Sequence, residues 1–405
     1  MKKSNILFPA MLLGLTTLLY PQQTSAAGQD STGANGQSPI YFRGWGNALY
    51  QDNTNAKTAT ADLQRLVLDI GRNFNSNISF FSELEMDDAV LAGGSNGGQL
   101  AVEQVYIKFN TDPTHYFKAG LILPTIGIMN ENHLPPLFNG NERTQVETNV
   151  IPTTWRDIGV GYYGGIAELP LNYSVAVLNG LSSAMFTHGS GIKNGRFQGR
   201  NATANNMAVN AALKYAEGTL KAQVTGYYGG TVGISSQQAD TMGLNSGLFG
   251  TPVAIGEADI RYAYGSWSFR ALGTYISIPD AEEINRAYKN NTPESEYGAY
   301  AEIGYDLLGN AGSMTEPHLI AFSRYEKLDL NSSIPANGVT DGTLDQSHIL
   351  VGLNYLPIST VVIKADVRFE HTGAANIALT AKPSPTAPPY DQNNSFINLG
   401  IGFTF

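Results

Sequence analysis

The chain has 405 residues, 44 of them Gly, 21 Tyr and 17 Phe, with no Cys, and only 14% are charged, against about 25% in an ordinary soluble domain. Its formal net charge of −10 argues against a nucleic-acid partner, because phosphate backbones recruit basic surfaces. Without cysteine there is no disulfide framework, so if the chain is exported something else must hold it together.

Residues 1–26 read as a signal peptide. Lys2 and Lys3 form a positive start, an apolar stretch covers residues 6–20, and Thr24-Ser25-Ala26 offers small residues for cleavage. Pro9 interrupts the apolar stretch, which is shorter than the roughly 20 residues a spanning helix needs. Taking Lys2 and Lys3 from the 24 basic residues leaves 22 against 34 acidic, a mature net charge near −12. Residues 27–39 form a flexible lead-in. From 40 to 405 the texture is uniform, so one domain is expected where length alone would suggest two or three.

Period-two runs recur along this domain and predict sixteen strands. They fall at 40–50, 63–74, 78–86, 100–110, 116–123, 155–164, 171–178 and 206–215. The series continues at 219–228, 253–264, 267–276, 295–307, 318–326, 347–356, 360–370 and 395–405. Each even-numbered strand is followed by a short turn, such as Asn75-Ser76-Asn77 or Gly265-Ser266. Each odd-numbered strand is followed by a longer polar loop, such as 51–62, 180–205 or 229–252. This sorting is that of a transmembrane antiparallel β-barrel of the bacterial outer membrane, with short periplasmic turns and long external loops.

A Lys or Arg facing lipid at mid-membrane costs roughly 2–4 kcal/mol, so one face of each strand should be free of charge. In 360–370, Val361, Ile363, Ala365, Val367 and Phe369 oppose Lys364, Asp366, Arg368 and Glu370. In 219–228, Leu220, Ala222, Val224 and Tyr228 oppose Lys221, Gln223 and Thr225. In 318–326 the rule breaks, because Ile320 and Phe322 share parity with Arg324 and Glu326, and a bulge or shifted register is expected there. The last strand places Ile397, Leu399, Ile401, Phe403 and Phe405 on one face and Asn398, Gly400, Gly402 and Thr404 on the other. Its terminal Phe405 reads as the assembly signal for the outer-membrane insertion machinery. Tyr50, Tyr116, Trp155, Tyr215, Tyr264, Trp267 and Tyr355 lie near strand ends, as aromatic girdles do.

Sixteen strands enclose a lumen too wide for side chains to fill. Parity puts Arg65, Lys108, Lys118, Lys214, Lys221, Arg261, Arg270, Lys364 and Arg368 inside as candidate pore-lining cations. Asp69, Glu83, Glu85, Glu257, Asp259, Glu302, Glu326 and Asp366 are among the acids placed there too. The mixed wall predicts no strong ion preference, which would need rings of one sign. The third long loop, 125–154, carries Pro135, Pro136, Pro152 and Phe138 beside its charges. It is expected to follow an ordered path and narrow the lumen. Glu131, His133, Glu142, Arg143 and Glu147 are the candidates for the polar lining of that constriction. Pinning the loop to the wall is the alternative role for the same residues.

Several stretches resemble the phosphate-selective porin O/P-like family. They are Val102-Glu103-Gln104-Val105-Tyr106, Trp155-Arg156-Asp157-Ile158-Gly159-Val160-Gly161 and Ala321-Phe322-Ser323-Arg324-Tyr325-Glu326. Gly352-Leu353-Asn354-Tyr355-Leu356-Pro357, Val362-Ile363-Lys364-Ala365-Asp366 and Asn398-Leu399-Gly400-Ile401-Gly402-Phe403 are similar to the same family. The resemblance spans most of the mature chain. It implies a homotrimeric porin in contact with outer-membrane lipid and lipopolysaccharide, passing small hydrophilic solutes or ions. Phosphate-selective members carry an arginine ladder and a lysine cluster along the pore, whereas this chain has 24 Lys and Arg in all, so anions such as phosphate are one option for the solute and not a consequence of the resemblance.

No nucleophile motif surrounds any of the six His, so no enzyme is expected. No ligand spacing predicts a metal, and no cofactor is expected. A receptor, adhesin or structural barrel without an open pore is the competing reading.

Overall fold

The period-two runs become strands because one face of each meets lipid and the other meets the lumen. The computed structural model describes residues 39–89, 100–376, 379 and 391–405; the signal peptide and nearly all of the lead-in lie outside them. The strands are β1 (Ile40–Asn53), β2 (Thr58–Asn73), β3 (Ile78–Asp87), β4 (Leu100–Asn110), β5 (His115–Ile122), β6 (Asp157–Gly165), β7 (Leu171–Asn179) and β8 (Met207–Glu217). They continue as β9 (Leu220–Gly230), β10 (Pro252–Tyr264), β11 (Trp267–Ser277), β12 (Ser295–Asp306), β13 (His318–Ser333), β14 (Asp345–Ile358), β15 (Val361–Thr372) and β16 (Asn393–Thr404).

Each strand pairs antiparallel with its sequence neighbours, and β1 pairs with β16, so the sheet closes into a sixteen-stranded barrel. Closure satisfies every strand edge, which a hydrocarbon surrounding demands. At the seam, Phe405 and Gly44 exchange two backbone hydrogen bonds of 2.9 Å. Among the described residues no helix is long and apolar enough to cross a membrane.

The faces follow the predicted parity. Leu399 is 51% exposed on the outer surface, whereas Asn398 beside it is fully buried in the interior. Val224, Ile260, Ile363 and Phe369 likewise stand outward. Strand β13 keeps its alternation with no bulge against β14. Its apparent violation has another cause. Phe322 faces inward, and with Leu350 of β14 it packs under Gly140 of the third loop. The lumen is therefore not uniformly polar, because the loop it holds has apolar atoms to cover.

Three expectations need correction. The first external loop is a hairpin of residues 54–57, since β1 and β2 extend further than the sequence pattern shows. The connection between β12 and β13, residues 307–317, is longer than the other turns at its end of the barrel. Trp155 is not a girdle residue: it is fully buried, with its ring centroid 4.9 Å from that of Tyr227. Tyr116 also faces inward, under the ammonium of Lys108 at 4.1 Å. Tyr264, Trp267 and Tyr355 do stand exposed at strand ends.

Candidate functional site: loop 3 across the lumen

Residues 123–156, here loop 3, connect β5 to β6 and fold into the barrel. Asn130 braces the neck. Its Nδ2 donates to the Pro124 carbonyl at 2.8 Å and the Trp155 carbonyl at 3.3 Å, and its Oδ1 accepts from Trp155 N at 2.6 Å. Asn210 of β8 adds a second clasp, accepting from Thr125 N at 2.9 Å and donating to Thr125 O at 3.2 Å. These side chains satisfy backbone groups that a loop buried in a barrel leaves without ladder partners.

Inside the loop, Glu147 plays the equivalent role. Its carboxylate accepts from Ile128 N at 2.9 Å and Met129 N at 2.6 Å, and the Tyr300 hydroxyl approaches at 3.3 Å. Burial pushes this carboxyl up to about 7, while the two N–H bonds pull against that shift. The apolar back of the loop, with Ile126, Val146, Val150 and Ile151, joins a hydrophobic core. Phe186, Ile192, Val232, Leu244, Ile278 and Ile284 from the next three external loops complete that core over one side of the barrel.

The tip crosses to the far wall. Lys364 Nζ of β15 donates to the carbonyls of Phe138 at 2.8 Å and Gly140 at 2.7 Å and lies 3.7 Å from the Phe138 ring centroid. Asn139 donates to Glu302 of β12 at 2.8 Å, accepts from Asn354 of β14 at 2.7 Å, and its carbonyl accepts from Arg324 of β13 at 3.2 Å. Arg324 is itself held between Glu302 at 3.1 Å and Glu326 at 2.8 Å. Asn141 donates twice to Asp366, through N at 2.8 Å and Nδ2 at 2.6 Å. The wall of β16 makes room: a Cβ on Gly402 would lie 2.3 Å from Pro135, and one on Gly400 would lie 2.1 Å from Asn141. The small face of the last strand is thus the bed on which the tip lies.

The predicted constriction residues all lie in loop 3, in different surroundings. Glu131 is half-buried and pairs with Lys214 of β8. Glu142 pairs with Arg368 of β15 at 2.7 Å. Glu147 is fully buried within the loop's own fold, and Arg143 is also buried. His133 Nε2 lies 3.2 Å from Glu83 of β3. Of the predicted lining cations, Lys364 and Arg368 are occupied by the loop tip. Arg65 sits among acids, 3.5 Å from Glu85 and 3.8 Å from Asp87. Lys108 opposes Lys118 across β4 and β5. Lys221, Arg261 and Arg270 form one row across β9, β10 and β11. Sequence reasoning missed Glu103, because a one-residue bulge between β3 and β4 turns it inward beside Gln104. It also missed Asn130, for which residue type gives no signal.

The two sides of the lumen differ in accessible charge. Glu83, Glu85 and Glu103 on β3 and β4 are covered, as are Glu257 and Asp259 on β10. Lys118, Lys214, Lys221, Arg261 and Arg270 are partly exposed, the side chains of Lys214, Arg261 and Arg270 by 16%, 24% and 19%. The inner surface on β5 and β8 to β11 is therefore mainly basic, with Glu131 of loop 3 the acid set against Lys214.

No family model matches the chain. An uncharacterised protein of Aquifex aeolicus (strain VF5) is 30% identical over 339 residues, covering 81% of this chain and 74% of that protein. Among solved structures, the anion-selective porin from Comamonas acidovorans is similar with a TM-score of 0.53 at 12% identity, over 91% of this chain and 100% of the porin. OmpF of Salmonella typhi, in complex with daunomycin, is similar at 0.54 and 12%, over 91% and 98%. In-vitro folded OmpT of Vibrio cholerae, in its trimer form, is similar at 0.51 and 12%, over 91% and 100%. At such identities the likeness shows the fold, that of a bacterial outer-membrane barrel.

Proposed function

This chain belongs to the family of the Aquifex aeolicus protein and is a sixteen-stranded outer-membrane barrel, and from that premise we propose that it is a porin. It forms a water-filled channel for passive diffusion of small hydrophilic solutes and ions, with loop 3 as the constriction. The observation that carries this reading is the position of the loop. It spans the lumen from a neck at β5, β6 and β8 to a tip bonded on β12, β13, β14 and β15.

The partly exposed row Lys221–Arg261–Arg270, with Lys118 and the Glu131-paired Lys214 nearby, supports a preference for small anions, inorganic phosphate among them. Charge at close quarters along a narrowed pore sets selectivity in this way. Arg261 and Arg270 each keep one carboxylate, Asp259 at 3.4 Å and Glu302 at 3.1 Å, so the preference is moderate. The working assembly we propose is a homotrimer in lipid and lipopolysaccharide. Catalysis forms no part of this reading.

Purified protein in a planar bilayer under a KCl gradient tests it. The expected result is a current whose reversal potential has the sign of chloride permeation. A potential of the opposite sign would reject the anion preference. No current at all would favour the receptor, adhesin or structural reading.

A further inference from the structure

Where loop 3 meets β3 and β4, three side chains converge in a buried corner. His133 Nε2 lies 3.2 Å from Glu83 Oε1 and 3.8 Å from Glu103 Oε2. The three atoms all lie within 4.8 Å of one another. Glu103 has no exposed surface, Glu83 2% and His133 5%. The Trp45 ring stands 5.6 Å from the imidazole and helps cover the corner.

The atoms not pointing at this corner are occupied by other partners. Gln104 Nε2 donates to Glu83 Oε2 at 2.6 Å. Arg156 Nη1 donates to Glu103 Oε1 at 3.3 Å, and the Thr154 hydroxyl donates to the same oxygen. His133 Nδ1 lies 3.3 Å from the Asn130 carbonyl; donating there, it would leave Nε2 free to take a metal in place of the proton it shares with Glu83. Outer-shell bonds of this kind orient metal ligands. Glu103 Oε2, by contrast, is buried, has no hydrogen-bond partner and faces Nε2. A buried carboxylate oxygen left so is costly. The bulge that turns Glu103 inward is a local departure of the kind that re-aims a side chain at a site.

We propose that Glu83, Glu103 and His133 bind one divalent transition-metal ion, Zn2+ being the fitting probe. Metal–ligand bonds of about 2.1 Å in tetrahedral array put ligand atoms about 3.4 Å apart, between the two measured distances. Two carboxylates and a neutral imidazole carry −2; Arg156 already offsets part of the charge on Glu103, and a divalent cation would supply the rest. The imidazole favours a transition metal over Mg2+ or Ca2+. Three protein ligands leave a fourth position for water. The ion would tie loop 3 to the β3–β4 wall, with one ligand from the loop and two from the barrel.

The test is Zn2+ titration of the full-length protein in detergent after chelator treatment, with metal content per chain measured after dialysis. One equivalent should be retained by the wild type. His133→Gln and Glu103→Gln should each weaken binding by about 100-fold or more, beyond the 10- to 100-fold range typical of outer-shell changes. Glu103→Gln preserves shape, and heat-modifiable migration on gels verifies the folded barrel for each variant. Retention of no metal by the wild type would overturn the proposal and leave His133 as an imidazolium between two carboxylates. Equal retention by wild type and both folded variants would overturn it as well.

Discussion

Replacing Lys364 by Met should loosen the tip of loop 3 while leaving the barrel closed. The ammonium bonds two loop carbonyls, Phe138 O at 2.8 Å and Gly140 O at 2.7 Å, and sits on the Phe138 ring. Met keeps the stem's length and removes the donor. Each buried carbonyl left without a donor costs about 1–3 kcal/mol, and a desolvated cation–π contact is worth about 2 kcal/mol. Removing a buried ammonium also relieves its desolvation, so a net cost of about 2–4 kcal/mol is expected. At 1.36 kcal/mol per tenfold, this raises the detached population of the tip by roughly 30- to 900-fold. Hydrogen exchange of residues 137–142, followed by mass spectrometry, measures it directly. Wild-type protection in the variant, with unchanged single-channel noise, would refute the anchoring argument.

Gly402→Val should displace the tip from the other side, because its Cβ would lie 2.3 Å from Pro135; a crystal structure with Pro135 unmoved would count against this. Glu147 gives a pH dependence. Its carboxyl, facing Asp259 of β10 and the Tyr300 hydroxyl of β12, is raised to about 7 in the folded loop, against about 4.3 when exposed. The folded loop therefore holds the proton more tightly, so its stability is greatest below about pH 4.3 and falls by about 3 kcal/mol as pH rises to 7. Channel flicker should increase over that window in the wild type, and Glu147→Gln should flatten the response. Removing Phe405, which exchanges two backbone bonds with Gly44 at the seam, should impair insertion while export continues. Normal heat-modifiable barrel in outer-membrane fractions of that truncation would contradict this.

The barrel was legible because lipid imposes one strict rule, a charge-free face every second residue, and it applies to every strand. Val361 to Phe369 and Ile397 to Ile401 show the rule without exception. The site was less legible because loop 3 obeys no period. Its charged residues were identifiable as a group, but whether each meets water or wall depends on the path of the loop. Glu147 lies inside the loop's own fold, and Glu131 stays partly exposed. Phe322 looked like an error of register because the sequence cannot show that Gly140 lies over it. Glu103 carries the parity of Val105 and Phe109, which face outward, and only the bulge separates it from them.

Constriction of an aqueous channel by loop 3 is the central element of the proposed function. Single-channel conductance in planar bilayers, compared between the wild type and a chain with residues 131–143 replaced by a short Gly-Ser link, tests this most directly. A clear rise in conductance is predicted, with the variant's barrel verified as folded. Equal conductance, or no current from either protein, would contradict it.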